Sequence, residues 1–459
     1  MSKRNFTLLI IIVTIILAII LGFWYFQKPS STENGGIGTN FFSSFNPFGR
    51  KTNPPPTTPP VDVSGYVPPT DINTETPKLK LVKVSSMPIA GFAIFQKERL
   101  KEITSTQILS AGGEQQITPS TTTQNTTTNT PKGKKIQVKP IIPLTEFVSA
   151  LRYVDRATGN IYQAFADKLE ERRFSLTVIP KVYEAYFGNN GDSVIMRYLR
   201  NDDITIATFF GSLPKELVGD VTTGDKEVKG SFLPDNITDM TTSPDTQKVF
   251  YLFNTGEIAN GVVADLVGNK KIQVFDSPFT EWLTFWPNNK IITLTTKPAS
   301  GVMGYMYEVN TDKKDFSRTL GGIAGLTTLT SPNTKLVLYG DDNLSLNIFN
   351  KETKASIPLG IKTMPEKCVW NKLSSYIYCS VPKVIYGALY PDSWYQGETS
   401  FDDQIWKIDA ASGNATMIAN PLDIVKEEID GIKPALDESE DYLFFVNKKD
   451  SFLWELELK

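Results

Sequence analysis

The stretch DMTTSPDTQKVFYLFN, residues 239–254, gives the clearest indication of the fold. It contains a short apolar segment, the turn Ser243-Pro244-Asp245, and a second segment in which apolar and aromatic residues dominate. Proline and aspartate pre-set a tight turn, because proline fixes its own φ and aspartate bonds to the backbone that follows. A run of β-branched and aromatic residues bounded by turn signals is typical of a β-strand. The stretch therefore predicts two strands joined by a tight turn.

The same unit recurs along the chain from residue 79 onward. The other copies are EWLTFWPNNKIITLTT (281–296), LTTLTSPNTKLVLYG (326–340), KCVWNKLSSYIYCSV (367–381), KPALDESEDYLFFVN (433–447) and, more weakly, VYEAYFGNNGDSVIMRYL (182–199). The turn prolines Pro244, Pro287 and Pro332 are 43 and 45 residues apart. That period matches a four-stranded propeller blade, whereas a β-helix has shorter coils and a sandwich does not repeat at this length.

The Ser-Pro-Asp/Asn turn, followed by lysine and a run of apolar residues, resembles the WD40-like repeat of TolB-type β-propellers. The resemblance covers residues 79–459 and is clearest in three of the copies. It implies a propeller fold and leaves the function open, because such repeats occur in scaffolds, in binding modules and in gating domains of peptidases.

We predict an all-β fold, a seven-bladed β-propeller, with six or eight blades as the alternatives. The blades are expected near residues 87–178, 179–218, 230–278, 279–320, 321–361, 362–420 and 429–459. The last blade has only three clear strands. The segment PKLKLVKVS (77–85) is a natural fourth strand, which closes the ring and removes a free sheet edge.

The N-terminus predicts a membrane anchor in residues 1–28. Residues 6–26 form an uncharged apolar run of 21 residues, preceded by Lys3 and Arg4. Such a run spans roughly 30 Å of hydrocarbon as a helix, and the flanking charge favours a cytoplasmic N-terminus. The alternative is a long signal peptide that is cleaved further downstream. Both interpretations place the propeller on the extracytoplasmic side.

Two segments have compositions that disfavour a packed core. Residues 29–78 are rich in Pro, Ser, Thr and Gly, which predicts a disordered, semi-rigid linker between the anchor and the propeller domain of residues 79–459. Residues 111–135 form a low-complexity polar insert within the first blade.

The composition excludes several classes of function. The chain contains no histidine, which rules out Ser-His-Asp and Cys-His catalysis and histidine-ligated metal sites. The net charge of −3, with lysines and arginines scattered along the chain and not gathered in a stripe, disfavours nucleic-acid binding. We assign no catalytic, cofactor-binding or metal-ligating residue and expect no cofactor. Asp/Asn-rich turns at 188–193 and 437–441 are explained by turn chemistry, with calcium binding as the minor alternative.

The strongest candidate for binding is an insert in blade six, residues 382–404. Aromatic side chains beside carboxylates suit stacking on sugar rings or anchoring a protein partner. The candidate residues are Tyr386, Tyr390, Asp392, Trp394, Tyr395, Glu398, Asp402 and Asp403. The alternative is that these side chains pack over a neighbouring blade.

The expected function follows from these features together. We expect a single-pass, membrane-anchored, extracytoplasmic propeller that is not an enzyme and that binds a protein or glycan partner in the cell envelope. The alternatives are a carboxylate-based hydrolase, similar to a glycosidase, that acts on envelope carbohydrate, and a purely structural protein without a specific ligand.

The only two cysteines, Cys368 and Cys379, are a candidate disulfide. In a hairpin that turns at Leu373 and Ser374, they face each other across two strands. An exported domain meets oxidising conditions that permit the bond, and the short closed loop limits its stabilisation to about 3 kcal/mol. The alternative is a pair of buried free thiols.

Mass spectrometry of the alkylated protein tests this pairing. We expect no alkylated cysteine in the native protein before reduction and two after reduction, because both sulfur atoms are held in the bond. Two thiols that react without reduction would contradict the disulfide.

Overall fold

The computed structural model describes residues 80–101, 145–218, 221–222, 226–266 and 270–459. The predicted anchor (1–28), linker (29–78) and polar insert (111–135) lie outside these residues. Within the described ranges, no helix combines the length and the apolar character that crossing a bilayer requires.

The chain forms a seven-bladed β-propeller in which each blade is a four-stranded antiparallel sheet. In chain order, β1 (Leu81–Lys83) precedes blade one, which contains β2 (Ile89–Leu100), β3 (Thr145–Asp155), β4 (Ile161–Phe165) and β5 (Lys168–Arg173). Blade two contains β6 (Val182–Gly188), β7 (Ser193–Leu199), β8 (Ile206–Ser212), a small hairpin of β9 (Glu216–Leu217) and β10 (Val221–Thr222), and then β11 (Lys229–Phe232).

The next three blades each use four consecutive strands. Blade three contains β12 (Ile237–Thr242), β13 (Lys248–Thr255), β14 (Ile258–Asp265) and β15 (Lys271–Ser277). Blade four contains β16 (Trp282–Asn288), β17 (Ile291–Thr296), β18 (Met303–Asn310) and β19 (Phe316–Ala324). Blade five contains β20 (Thr327–Thr330), β21 (Leu336–Gly340), β22 (Ser345–Asn350) and β23 (Ser356–Lys362).

Blades six and seven complete the ring. Blade six contains β24 (Cys368–Trp370), β25 (Tyr376–Pro382), β26 (Asp403–Asp409) and β27 (Ala415–Ala419). Blade seven contains β28 (Gly431–Leu436), β29 (Tyr442–Asn447), β30 (Leu453–Glu457) and β1. The helices of the described residues are short: α1 (Asp392–Tyr395), α2 (Pro421–Ile424) and the 3-10 turns Asn189–Gly191 and Pro365–Lys367.

The first strand of each blade lies nearest the axis. First strands of neighbouring blades contact each other, as β2 contacts β6 and β24 contacts β28. Because the strands alternate in direction, the turns between first and second strands share one face of the disc, which we call the turn face. The loops between second and third strands and the connections between blades share the other face, which we call the loop face.

The N-terminal strand closes the ring. In blade seven, β1 pairs with β30, with Leu81 opposite Leu456 and Lys83 opposite Trp454. The amide of Val84 continues the ladder by donating to the carbonyl of Leu453 at 2.8 Å. The expectation that residues 77–85 supply the missing strand is thus confirmed for the described part of that segment.

The fourth strand of blade two differs from the sequence prediction. The predicted boundaries ended blade two at residue 218 and began blade three at residue 230. In the structure, β11 pairs with β8 as the outer strand of blade two, with Gly230 opposite Gly211. All four residues of β11 are exposed, so the strand lacks the apolar alternation by which it would have been found.

The recurrent turn has a common hydrogen-bonding pattern. In blade three, the hydroxyl of Ser243 donates to Asp245 at 2.6 Å and accepts the amide of Lys248 at 2.9 Å. In blade five, Ser331 makes the equivalent bond to Asn333 at 2.8 Å. These bonds satisfy backbone groups that the turn leaves outside the strand ladder, which explains why serine and Asp/Asn recur there.

The two cysteines lie opposite each other in the hairpin of β24 and β25. Their Cα atoms are 4.1 Å apart, and the sulfur atoms are bonded. Both side chains belong to the apolar cluster between blades five and six.

A buried carboxyl group lies where the last blade meets the first. Glu455 on β30 is 3% exposed, and its Oε2 atom has no hydrogen-bond partner among the described residues. Its strand neighbour Phe444 packs in the cluster shared by blades seven and one. Burial raises the pKa of Glu455 to about 8; Lys80 opposes this rise, and the negative charge of Glu457 adds to it.

We predict that this group makes the stability of the propeller depend on pH. Folded Glu455 retains a proton that the unfolded chain releases above about pH 4.5, so the contribution of this group to stability falls as pH rises from about 4.5 to 8, by at most about 1.4 kcal/mol per pH unit. Glu455→Gln should reduce the slope of unfolding free energy against pH by this contribution, measured by urea titration. Glu352→Gln, on the exposed turn of blade five, is the control. Equal slopes in the wild type and Glu455→Gln would refute the prediction.

Candidate functional site

The blade-six insert packs onto the loop face as a small core of its own. It leaves β25 at Pro382, forms α1 and returns at Asp403. Tyr390 and Trp394 are 4% and 5% exposed and pack with Phe401 of the insert and with Leu344 of blade five. Packing over a neighbouring blade therefore accounts for the two largest buried aromatic side chains of the insert.

The insert is fastened to blades four and seven by hydrogen bonds. The carboxylate of Asp392 accepts the amide of Ser300, which lies in a loop of blade four. Lys448, in a loop of blade seven, donates to the carbonyl of Trp394 at 2.8 Å. These contacts carry the insert across the loop face from blade four to blade seven.

The predicted binding residues divide by environment. The hydroxyl of Tyr390 donates to the carbonyl of Tyr386 at 3.0 Å, and Tyr386 is half-buried. Asp402 is half-buried, with a pKa that burial raises, and Asp403 is fully buried. Glu398 and Tyr395 are exposed, Tyr395 to 39%. Of the predicted binding residues, Tyr395 and Glu398 are thus the two that are exposed enough to contact a partner.

A buried lysine cluster lies beneath the insert. Lys367, at the end of a 3-10 turn, contacts Asp403 at 2.7 Å and also Asp430, and all three side chains are 0% exposed. Burial would lower the pKa of Lys367, but the two carboxylates outweigh it and raise that pKa. The indole N–H of Trp394 donates to Asp430 at 2.9 Å. Asp403 was predicted to be a ligand-binding residue, whereas the structure pairs it with a lysine that no sequence motif indicates.

A second polar group, the axial cluster, lies near the axis toward the loop face. It consists of Glu184 on β6, Asp239 on β12, Glu366 before β24, and Tyr395. Glu184 accepts from Arg197 and lies 3.6 Å from Lys433 of blade seven. The hydroxyl of Tyr395 donates to Glu366, which joins the insert to the cluster. The contact between Glu184 of blade two and Lys433 of blade seven joins non-adjacent blades, as expected for side chains that face the axis.

The carboxyl groups of the axial cluster have different pKa values. Burial raises the pKa of Asp239 to about 7, although the amide of Thr284 donates to it at 2.6 Å. Burial also raises the pKa of Glu366 to about 7, with a further rise from the charge of Asp239. The pKa of Glu184 is lowered, because Lys433 and Arg197 together outweigh its burial. Near neutral pH the cluster therefore contains one ionised carboxylate and two groups that can exchange protons.

The turn face carries a different site, the mouth cavity, at the axis. Its volume is about 460 Å³. Charged residues at its edge include Lys372 and Glu438, which are 3.4 Å apart. Most of the lining is apolar and comes from blades three, four, six and seven: Pro244, Phe285, Trp286, Pro287, Val369, Trp370, Pro434, Ala435 and Leu436. Two of the prolines that define the repeat thus also form the wall of a cavity.

The ranges that the structure describes contain no group of three or more His, Cys, Asp or Glu side chains arranged to hold a metal ion. In the acidic turn at 437–441, Asp437 accepts the amides of Asp441 and Tyr442, both at 2.8 Å, which is ordinary turn bonding.

No protein-family model matches the sequence, and no curated protein matches it. Among solved structures, the chain is similar to an oligogalacturonate lyase from Vibrio parahaemolyticus, with 10% identity and a TM-score of 0.44 over 68% of this chain and 94% of that chain. It is similar to TolB from Acinetobacter baumannii, with 11% identity and a TM-score of 0.37 over 68% and 77%. It is also similar to a puromycin-hydrolyzing peptidase from Mycobacterium tuberculosis, with 10% identity and a TM-score of 0.43 over 65% of this chain and 49% of that chain. These likenesses concern the fold alone.

We predict that Trp394 contributes to stability through its packing. Trp394→Ala should lower the free energy of unfolding by about 3–5 kcal/mol, because it leaves a cavity and removes a donor from buried Asp430. Equilibrium urea unfolding measures the change. Leu389→Ala, in the same insert at 69% exposure, is the control and should change the free energy by less than about 0.5 kcal/mol. Equal effects of the two substitutions would contradict the packing role.

Proposed function

We propose that the chain is a membrane-anchored, extracytoplasmic binding module whose propeller engages a protein partner of the cell envelope at the mouth cavity. The observation that carries the proposal is the apolar cavity at the axis of the turn face, built from four blades. Cavities of roughly 300–1,000 Å³ with mainly apolar walls and a few polar groups are the usual form of a binding site.

The chemistry of the cavity favours a protein over a glycan. Its walls contain proline rings and the apolar side chains of Ala435 and Leu436, which suit an apolar side chain of a partner. Exposed charged groups that can orient a ligand, Lys372 and Glu438, also line the cavity. The exposed residues of the insert, Tyr395 and Glu398, are proposed as a separate contact surface on the loop face.

The second candidate is a carboxylate-based hydrolase that acts on envelope carbohydrate. The axial cluster favours it, because two carboxyl groups with a pKa of about 7 beside an ionised Glu184 are suited to general acid-base catalysis. Its site would be the axial cluster and not the mouth cavity, so substitutions in one site test one candidate function without altering the other site.

Affinity capture from detergent-solubilised envelope, with the full chain as bait, tests the proposal. The double substitution Pro244→Glu, Ala435→Glu introduces two charges into the mouth cavity and should reduce capture of the partner at least about tenfold. Leu373→Glu, on the same face but outside the cavity and 79% exposed, is the control and should leave capture unchanged. Tyr395→Ala measures any contribution of the insert.

Unchanged capture by the double variant would overturn the binding proposal. The hydrolase is tested in parallel with Asp239→Asn and Glu366→Gln. If the wild type releases reducing ends from envelope glycans and each of the two substitutions abolishes this release, the hydrolase replaces the binding module as the proposed function.

A further inference from the structure

The buried lysine cluster has the arrangement of a covalent cross-link site. The Nζ atom of Lys367 is 2.7 Å from Oδ2 of Asp403 and also contacts Oδ1 of Asp430. The three side chains come from three places in the fold: the 3-10 turn before β24, the first residue of β26, and the residue before β28. All three are completely removed from solvent.

The two oxygen atoms of Asp403 have different surroundings. Its Oδ2 atom accepts from Lys367 and from the amide of Gly431 at 2.7 Å. Its Oδ1 atom is buried and has no hydrogen-bond partner within the described ranges. A buried oxygen without a partner is costly, and it demands an explanation. An oxygen that leaves in a reaction is one such explanation.

Asp430 is held as a carboxylate beside the amine. Its Oδ2 atom accepts from the indole of Trp394 at 2.9 Å and from the amide of Phe401 at 3.1 Å. The rings of the same two residues lie 5.5 Å and 5.2 Å from the Nζ atom of Lys367. The site is therefore buried and aromatic, and it has a proton acceptor within reach of the nucleophile.

We propose that Lys367 and Asp403 are joined by an intramolecular isopeptide bond, with Asp430 as the catalytic acid and base that forms it. The bond ties the start of β24 to the start of β26 beneath the insert, next to the cysteine pair of the same blade.

The reaction is a condensation that balances without any co-reactant. Asp430 takes a proton from the ammonium group of Lys367, and the neutral amine attacks Cγ of Asp403 in its protonated form, with the proton on Oδ1. The charge that develops on Oδ2 is stabilised by the amide of Gly431, as in an oxyanion hole. Asp430 then gives its proton to the Oδ1 hydroxyl, and the Cγ–Oδ1 bond breaks to release one water molecule. Asp430 takes the second proton from the nitrogen as the amide forms and ends protonated.

Burial favours this reaction in two ways. The amide replaces a buried ammonium and a buried carboxyl group, which removes charges that are costly away from water. Burial also raises the pKa of Asp403 to about 7, so its protonated, more electrophilic form is accessible, while Lys367 and the neighbouring donors keep the pKa of Asp430 low. A permanent ion cluster is the competing explanation, and it retains both charges.

Peptide mass spectrometry of the full chain distinguishes the two. After reduction, alkylation and trypsin digestion, the cross-linked protein should yield a branched peptide that joins residues 363–372 to residues 384–407. Its mass should be about 18 Da below the sum of the two peptides, since condensation removes one water molecule. Trypsin should not cleave after Lys367, because the acylated side chain is no longer a substrate.

Stoichiometric recovery of one peptide that ends at Lys367 and another that begins at Cys368 would overturn the proposal. A branch at Asp430 in place of Asp403 would overturn the assignment of the electrophile. Asp430→Asn keeps the shape of the side chain and removes the base, so it should slow formation of the isopeptide bond by roughly a hundredfold or more. The rate is measured as the fraction of protein that yields the branched peptide at increasing times. Lys367→Arg, which retains the charge and cannot form this amide, is the matched control. The wild-type result stands even where a variant fails to fold.

Discussion

The pairing of β1 with β30 is the constraint on which the rest of the propeller depends. It brings the first described strand to the last strand of the chain, with Leu81 opposite Leu456. Blade seven is complete only through this pairing, and its apolar face packs against blade one through residues such as Phe444 and Leu453. Because a propeller buries each blade between two neighbours, a break at this seam would expose two apolar faces at once. Because Glu455 is buried at the same seam, the stability of the seam depends on pH.

The closed ring gives the axis two ends with different chemistry. On the turn face, the mouth cavity has walls of proline and apolar side chains. On the loop face, the insert covers the axial cluster and contacts it through Tyr395 and Glu366. We propose recognition at the first end because its walls suit an apolar partner, while the carboxyl groups at the second end give the hydrolase its only structural support. The buried lysine cluster holds the insert in place from below, as an ion cluster or as the proposed amide.

The sequence predicted the repeat, the number of blades and the closing strand, because prolines at a regular period and alternating apolar residues are local signals. It did not predict β11, whose four residues are exposed and carry no alternation. It placed Asp403 in a binding loop, since one sequence does not reveal that Lys367 and Asp430 lie beside it in the fold. Glu184 and Asp239 escaped notice for the same reason: Lys433 and Thr284, which contact them, come from other blades, and a lone acid in a strand gives no signal of its own.

Hydrogen–deuterium exchange of the full chain tests the closure of the ring most directly. The amide of Val84 donates to Leu453, and the strand before it is paired along its length. The amides of Val82 and Val84 point toward β30, and they should exchange nearly as slowly as those of β29, in the interior of the same blade, because both open only when the seam opens. Exchange of β1 at the rate of an unstructured peptide, with β29 still protected, would contradict it.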